Sequence, residues 1–151
     1  MGARQDAVIF DVDGTLCDVS SVRHHVLGKR KNFHAFHYGS LWCPPIDWVA
    51  AALHEHGSHD KAIIVVTARE FKWRALTTNW FIDNGLFYDE IHMRPTGDFR
   101  PDYVIKRELH AEFSQRFNIV GAYDDNPSVV ALWRELGIPV TEVPGWAEEW
   151  L

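Results

Sequence analysis

The chain has 151 residues, 46% of them hydrophobic, and is predicted to fold as a single domain over residues 1–151. Lys and Arg number 15 against 21 Asp and Glu, and the net charge of -6 argues against a protein that coats nucleic acid through bulk positive charge. No apolar run is long enough to span a bilayer and no secretory segment precedes the first strand, so a cytoplasmic location with no membrane partner is predicted.

The first predicted strand is the apolar run from Ala7 to Phe10, which has the composition of a strand buried in a parallel sheet. Two carboxylates, Asp11 and Asp13, follow directly, and Gly14 then breaks the strand. In open α/β sheets, ligands bind outside the carboxyl ends of the strands. Asp11 and Asp13 are therefore predicted to lie in a crevice at that edge.

Residues 17–44 are polar and aromatic without a sustained period, and we predict that they form a flap or small cap insertion. The segment contains a basic run, residues 23–31, which is either a solvated loop or an electrostatic guide for a phosphate backbone. Cys17 and Cys43 have no metal-ligand spacing, and they are predicted to be free thiols in a reducing compartment.

Three further side chains of this segment invite specific hypotheses. Trp42 is the tryptophan that we would test for stacking on a base, although tryptophans are more often part of a core. The spacing of His34 and His37 suggests a zinc site, but no partner ligands are evident in the sequence.

The rest of the chain alternates helices with strands. The predicted elements are a helix from Pro45 to Gly57, a strand over Ala62–Val66, a helix over residues 70–84, a strand from Tyr88 to Met93, a helix capped by Asp102, a strand from Asn118 to Tyr123, a helix from Pro127 to Gly137, and an edge strand from Pro139 to Val143. Because βαβ crossovers are right-handed, this order predicts an α/β fold with a doubly wound parallel sheet of about five strands.

Polar residues also follow two later strands. Thr67 and Arg69 end the second strand, Asp124 and Asp125 end the fourth, and Lys106 lies near the start of a helix. The carboxyl ends of parallel strands share one edge, so these side chains are predicted to converge with the first two aspartates. Four crowded carboxylates need a cation, and oxygen-only ligands favour Mg²⁺. Such a pocket suits a phosphoryl group.

The order DxDGT, hydrophobic-Thr-x-Arg, Lys and Asp-Asp resembles that of the haloacid dehalogenase (HAD) superfamily of phosphotransferases over nearly the whole chain. The resemblance implies that Asp11 is the nucleophile that forms an aspartyl-phosphate. Asp13 would protonate the leaving oxygen and then deprotonate water. Thr67 would bind the phosphoryl oxygens, and Lys106 would neutralise charge, with Lys29, Lys31 and Lys61 as competitors for that role. The implied Mg²⁺ ligands are Asp11, the main-chain carbonyl of Asp13, Asp124 and Asp125.

A closer resemblance covers residues 94–106, which look like the corresponding stretch of the phosphatase half of phage-type polynucleotide kinase/phosphatases. Those enzymes remove 3′-phosphates from nucleic-acid ends. The resemblance implies that Arg69 and Arg94 contact phosphate or substrate, and Gly14 and Thr15 are assigned to substrate binding with them. No GxxxxGK[ST] kinase motif occurs in the sequence, so a separate polynucleotide kinase or ligase is an expected partner.

The expected function is therefore that of a Mg²⁺-dependent phosphomonoesterase that forms an aspartyl-phosphate and removes 3′-phosphates from DNA or RNA ends. The expected binding partner is a phosphorylated nucleic-acid end or a nucleotide, as substrate. About 45 residues separate the first motif from the second strand, which leaves room for a flap but not for a large cap, and an open site admits bulky substrates. Two alternatives stay open: a nucleotidase or small-molecule phosphatase, and a non-catalytic module that binds phosphorylated ends or a protein.

Overall fold

A parallel sheet forms the centre of the fold. The computed structural model describes residues 3–145, and its strands are β1 (Gln5–Phe10), β2 (Ala62–Glu70), β3 (Glu90–Arg94), β4 (Phe117–Asp124) and β5 (Val140–Glu142). They form one sheet in the order β3-β2-β1-β4-β5, and every neighbouring pair is parallel. The order reverses at β1, which places the carboxyl end of the central strand at the switch point where ligands bind. The predicted doubly wound α/β fold is confirmed.

Helices cover both faces of this sheet. They are α1 (Phe33–Ser40), α2 (Asp47–Ser58), α3 (Arg74–Asp83), α4 (Asp102–Phe113) and α5 (Pro127–Glu135), with short 3₁₀ turns at Arg23–Val26 and Phe71–Trp73. None of these helices combines the length and the hydrophobicity that a bilayer crossing requires. Because a helix lies between each strand and the next along the chain, the connections are the helical crossovers that a parallel sheet needs.

Alternate residues of the central strand build two separate cores. Val8 and Phe10 pack with α1, α2 and α3 on one face, whereas Ala7 and Ile9 pack with α4 and α5 on the other. All four side chains are almost fully buried. A strand covered on both faces has to be apolar throughout, which explains why the sequence of β1 reads as a continuous hydrophobic run.

The end of α2 differs from the sequence prediction. Gly57 does not terminate the helix but lies inside it, and the chain turns at Asp60, whose φ is 62°. A Cβ atom at Gly57 would overlap the ring of Phe87, so the glycine permits close packing and not a C-terminal turn. The prediction failed because both uses of glycine give the same sequence signal.

Two other elements also differ from the prediction. β2 continues to Glu70, where a helix was expected, because Glu70 pairs with Arg94 of β3 after a break in the register. The 17–44 segment contains α1, which the sequence did not predict. Asn32 caps this helix, its side-chain oxygen accepting a hydrogen bond from Ala35 N at 2.9 Å. An eight-residue helix presents too few apolar positions to give a readable period.

Candidate active site

The loop after β1 is a tight turn that brings its motif residues against β4. The backbone N–H groups of Thr15, Leu16 and Cys17 all donate to Val12 O, at 3.2, 3.0 and 2.9 Å. Gly14 has a φ of 80°, a backbone conformation that is strained for any residue with a Cβ atom. A Cβ atom there would also overlap the carboxylate of Asp125. Glycine at position 14 therefore holds the first motif close to the last one.

Three carboxylates meet at the carboxyl ends of the central strands. Ligand oxygens of Asp11, Asp124 and Asp125 all lie within 4.8 Å of one another, and the three residues are buried. Burial, followed by the charge of Asp124, raises the pKa of Asp11 well above its ordinary value. The sequence prediction that these aspartates converge is therefore matched by their positions.

Lys106 is the buried cation of this group. Its Nζ donates to Asp11 Oδ1 and to Asp124 Oδ2, each at 2.8 Å, and the residue is 2% exposed. Burial alone would lower the pKa of Lys106, but the charges of Asp11 and Asp124 raise it above the ordinary value. Of the competing lysines, Lys29 and Lys31 are exposed, and Lys61 directly precedes β2, at the end of that strand away from Thr67.

Asp13 points away from the three clustered aspartates and pairs with Arg69. The Arg69 Nη2 and Nε atoms lie 2.6 Å from Asp13 Oδ1 and 3.0 Å from Oδ2. Removal from bulk water would by itself raise the pKa of Asp13, but the Arg69 guanidinium lowers it below its ordinary value. Arg69 also donates to Thr77 Oγ1 and Ser40 Oγ, both at 3.1 Å. Its expected contact with substrate stays a prediction, since these protein groups occupy most of its donors.

Two threonine hydroxyls complete the interior of the site. Thr15 donates to Asp11 Oδ2 at 3.0 Å and lies 3.3 Å from Asp125 Oδ1, so it bridges the first and last motifs. Thr67 is buried, and its Oγ1 accepts a hydrogen bond from Arg69 N at 3.2 Å. Protein groups therefore fix the position of each hydroxyl, and the expected contacts of Thr67 with the phosphoryl oxygens and of Thr15 with substrate stay predictions.

Arg94 organises the loop formed by residues 95–101. It donates to the carbonyl oxygens of Asp98 and Arg100 and to Ala68 O, and its Nη2 lies 2.6 Å from Asp102 Oδ1. Asp102 was predicted to cap α4, but it is the first residue of the helix and makes no capping bond, because Arg94 binds its carboxylate. The predicted substrate contact of Arg94 is untested, and its described bonds hold the loop.

These groups lie at the base of a cavity of about 780 Å³. The 17–44 segment contributes Val26, Lys31, Phe33, Phe36 and His37 to its lining, and residues 99–101 also line it. Trp42 does not line this cavity and is 84% exposed. Arg23, expected within an exposed basic run, is buried at 6% exposure.

The sequence did not reveal several residues of the site. Ser40 and Thr77, which accept hydrogen bonds from Arg69, were not predicted, and neither were the cavity residues Phe33 and Phe99. A signal existed for Thr77, because it is a polar residue on the buried face of α3 that also carries Trp80. Ser40 gave no such signal, since its helix was itself unrecognised.

The donor atoms fit a hard divalent cation. Asp11, Asp124 and Asp125 offer carboxylate oxygens alone, and Lys106 neutralises only part of their charge. The Asp13 carboxylate faces Arg69, so any contribution of Asp13 to an ion would come from its main chain. Within residues 3–145, neither His34 nor His37 belongs to a group of side chains able to hold a metal, so the zinc hypothesis has no support.

A parallel sheet that gathers DxDGT, a threonine, a lysine and an aspartate pair at one edge defines a phosphatase of the HAD class. Residues 5–145 match the family described as the polynucleotide kinase PNKP phosphatase domain. The chain therefore belongs to that family.

Individual relatives agree with this assignment. A protein of Autographa californica nuclear polyhedrosis virus, named as a bifunctional polynucleotide kinase/RNA ligase, is 26% identical over 139 residues, which are 88% of this chain and 18% of that protein. A chain of the Pnkp1/Rnl/Hen1 RNA repair complex is 28% identical with a TM-score of 0.81, over 93% of this chain and 42% of that chain. This protein thus spans less than half the length of either relative.

The fold also occurs in more distant phosphatases. A class C acid phosphatase from Bacillus anthracis superimposes with a TM-score of 0.73 over 95% of this chain and 68% of that chain. The sequence identity is 14%, so this likeness concerns the fold alone.

Proposed function

We propose that the protein is a Mg²⁺-dependent phosphomonoesterase that forms an aspartyl-phosphate on Asp11 and releases 3′-phosphates from DNA or RNA ends. The observation that carries this proposal is the buried group in which Lys106 joins Asp11 and Asp124 at the switch point of the sheet. A carboxylate attacks a phosphate dianion only when positive charge reduces their repulsion, and Lys106 supplies a permanent part of that charge.

In the proposed reaction, a carboxylate oxygen of Asp11 attacks phosphorus, and the bond between phosphorus and the 3′-oxygen breaks. In the substrate complex, the negative charge of the phosphate opposes the effect of Arg69 and raises the pKa of Asp13, so that Asp13 delivers a proton to that leaving oxygen. Asp13 later takes a proton from the water that hydrolyses the acyl phosphate. Asp11, Asp124, Asp125 and the Asp13 carbonyl would hold Mg²⁺, which when bound supplies further positive charge beside the phosphoryl group.

Arg69 has a positioning role in this proposal. Two of its nitrogens hold the Asp13 carboxylate, and Thr77 and Ser40 fix the guanidinium from two different helices. A general acid has to lie within hydrogen-bond reach of the leaving oxygen, so a carboxylate free to rotate would lose part of its effect. Arg69 would therefore act on the leaving-group step through Asp13.

Several observations support a nucleic-acid end as the substrate. The family is that of the polynucleotide kinase phosphatase domain, and the relatives named above carry kinase, ligase or RNA repair in their names. The cavity of about 780 Å³ exceeds the size of a phosphoryl group and leaves room for a nucleoside. We further propose that a polynucleotide kinase or a ligase, in the same or another chain, acts on the ends that this phosphatase prepares.

A substrate panel tests the proposal. Phosphate release is measured with and without Mg²⁺ from oligonucleotides carrying a 3′- or a 5′-phosphate, from nucleoside monophosphates and from sugar phosphates. We expect the highest kcat/KM for the 3′-phosphorylated oligonucleotide, and no turnover when EDTA replaces Mg²⁺. Faster turnover of mononucleotides or sugar phosphates would identify a nucleotidase or small-molecule phosphatase. Binding without any turnover would identify a non-catalytic module.

The nucleophile has its own test. Asp11→Asn keeps the size of the side chain but removes the attacking oxygen's charge, so turnover should fall to background while the circular dichroism spectrum stays that of the wild type. Acid quenching of the wild-type enzyme during turnover should trap phosphate on the protein, and the variant should trap none. Wild-type activity in Asp11→Asn would refute the assigned role.

A further inference from the structure

The cavity has two chemically different zones. Its buried lining carries the carboxylates and Lys106, whereas its exposed lining includes Phe33 and Phe99, which come from separate segments of the chain. Phe33 is 51% exposed and Phe99 is 81% exposed. Single exposed aromatic residues are common on protein surfaces. Two that line the same cavity as the proposed phosphate-binding residues form a surface suited to a flat apolar group. We call Phe33 and Phe99 the aromatic rim.

Phe99 is displayed on a fixed loop. Arg94 donates to the carbonyl oxygens of Asp98 and Arg100, the two residues that flank Phe99. The Arg100 side chain is itself held by Asp98 and by Glu108, with nitrogen to oxygen distances of 2.7 Å. The polar groups of the loop therefore bind neighbouring protein groups, and the Phe99 ring is left exposed. A contact residue that is already ordered loses little entropy when it binds.

The exposed end of the basic run, residues 29–31, lies beside the same cavity. Lys29, Arg30 and Lys31 are all exposed, and Lys31 lines the cavity. No ion pair of these three residues occurs among the residues that the structure describes. In a chain with a net charge of -6, three adjacent cations that have no acidic partner within residues 3–145 form a local exception. They would attract the phosphodiesters of a polynucleotide.

We propose that the aromatic rim binds the base of the 3′-terminal nucleotide and that Lys29, Arg30 and Lys31 contact the phosphodiesters preceding it. The inference rests on the proposed function, and it names the residues that distinguish a polynucleotide end from a mononucleotide. A mononucleotide fills the cavity but has no phosphodiester to reach the basic run. A strand continues past the cavity mouth and engages both features, as in other single-strand sites that combine stacking with cationic contacts.

Kinetics on three substrates test this assignment. They are a 3′-phosphorylated oligonucleotide, a nucleoside 3′-monophosphate and glycerol 3-phosphate, which has no ring that could stack on the rim. Phe33→Ala and Phe99→Ala should each lower kcat/KM roughly tenfold for both nucleotide substrates, mainly through KM, since stacking on one ring contributes about that factor. Lys29→Glu combined with Arg30→Glu should lower kcat/KM for the oligonucleotide alone, and should reduce its logarithmic salt slope by about 1.4, as expected for two lost contacts.

Matched control variants separate these roles from general effects. Trp42→Ala removes an aromatic side chain outside the cavity whose exposure is similar to that of Phe99, and Arg107→Glu with Arg134→Glu makes the same change in net charge on α4 and α5. Neither control should change the ratio of oligonucleotide to glycerol 3-phosphate activity. Equal losses on all three substrates, or losses in the controls as large as in the test variants, would overturn the assignment.

Binding without turnover separates this inference from the proposed function. In an Asp11→Asn background, fluorescence anisotropy of a labelled 3′-phosphorylated oligonucleotide should show weaker binding, by roughly tenfold, when Phe33 or Phe99 is replaced. If the wild type releases no 3′-phosphate but these affinity losses occur, the proposed reaction is wrong and the binding assignment stands. If 3′-phosphate is released but neither the rim nor the basic run affects affinity or KM, the assignment is wrong and the reaction stands.

Discussion

His37 offers a sharp test of how burial in the 17–44 segment controls stability. The residue lies in α1 and is 6% exposed, with its ring centroid 4.9 Å from that of Trp73 and 5.1 Å from that of Phe36. Its Nδ1 has no hydrogen-bond partner within the described residues. Burial lowers the pKa of His37 from 6.5 to about 4, although the nearby charge of Asp13 opposes the shift.

The sign of the pH effect follows from this lowered pKa. Below pH 6.5 the unfolded chain takes up a proton at His37, but the folded chain does so only near pH 4, so the stability that a neutral His37 provides is lost as the pH falls between these values. With these two pKa values, linkage gives a loss of about 2 kcal/mol between pH 7.5 and pH 5.0. That is a large fraction of the 5–15 kcal/mol by which a typical domain is stable.

Urea unfolding at pH 7.5 and at pH 5.0 measures this loss. His37→Phe keeps an aromatic ring against Trp73 but removes the titrating group, so the free energy of unfolding of the variant should change by about 2 kcal/mol less than that of the wild type. The control is His24→Phe, at an exposed position of the same segment, which should leave the wild-type pH dependence in place. Superimposable pH dependences for the wild type and His37→Phe would refute the reasoning.

Three further predictions concern the site. Gly14→Ala should lower kcat roughly 100-fold, because its Cβ displaces the Asp125 carboxylate and misplacement by about 1 Å has an effect of that size; steady-state kinetics check this, and a loss under threefold would contradict it. Lys106→Met leaves buried carboxylates unpaired and should destabilise the apoprotein by about 3–5 kcal/mol, with Mg²⁺ raising the melting temperature more than in the wild type; equal shifts would contradict it. Arg94→Lys should speed hydrogen exchange of the 95–101 amides, while unchanged exchange would show that Arg94 does not hold this loop.

Much of the site could be predicted because a parallel sheet converts sequence order into spatial convergence. Asp11 follows β1, Thr67 lies near the end of β2 and Asp124 is the last residue of β4, and strands that run the same way end at the same edge. Their meeting required no knowledge of side-chain conformation. Lys106 was harder, since it lies on a helix, and only its spacing from Arg94 within a family-like stretch singled it out among the lysines.

The partners of the arginines could not be predicted in the same way. The sequence places Arg69 near the phosphoryl site, but whether its guanidinium meets Asp13 or solvent depends on Ser40 and Thr77, which come from two separate helices. Helix α1 was missed because eight residues give no readable period, so Ser40 could not be placed at all. The local sequence pattern predicts where the backbone of a strand ends. Which of several acceptors a guanidinium binds depends on how separate elements pack, and the local pattern does not contain that information.

The 17–44 segment is anchored at both ends, which bears on how a substrate enters. Within the segment, Asp18 N donates to Pro44 O at 2.9 Å. Just outside it, Ile46 N donates to Leu16 O at 2.7 Å, so the two ends are held together. Ser40, near its far end, also accepts from Arg69, which holds Asp13. A swinging lid would have to break these bonds in every cycle and would disturb Asp13 as it moved. The bonding thus favours a fixed wall beside an open cavity, the geometry that a polynucleotide end requires because its chain has to leave the site.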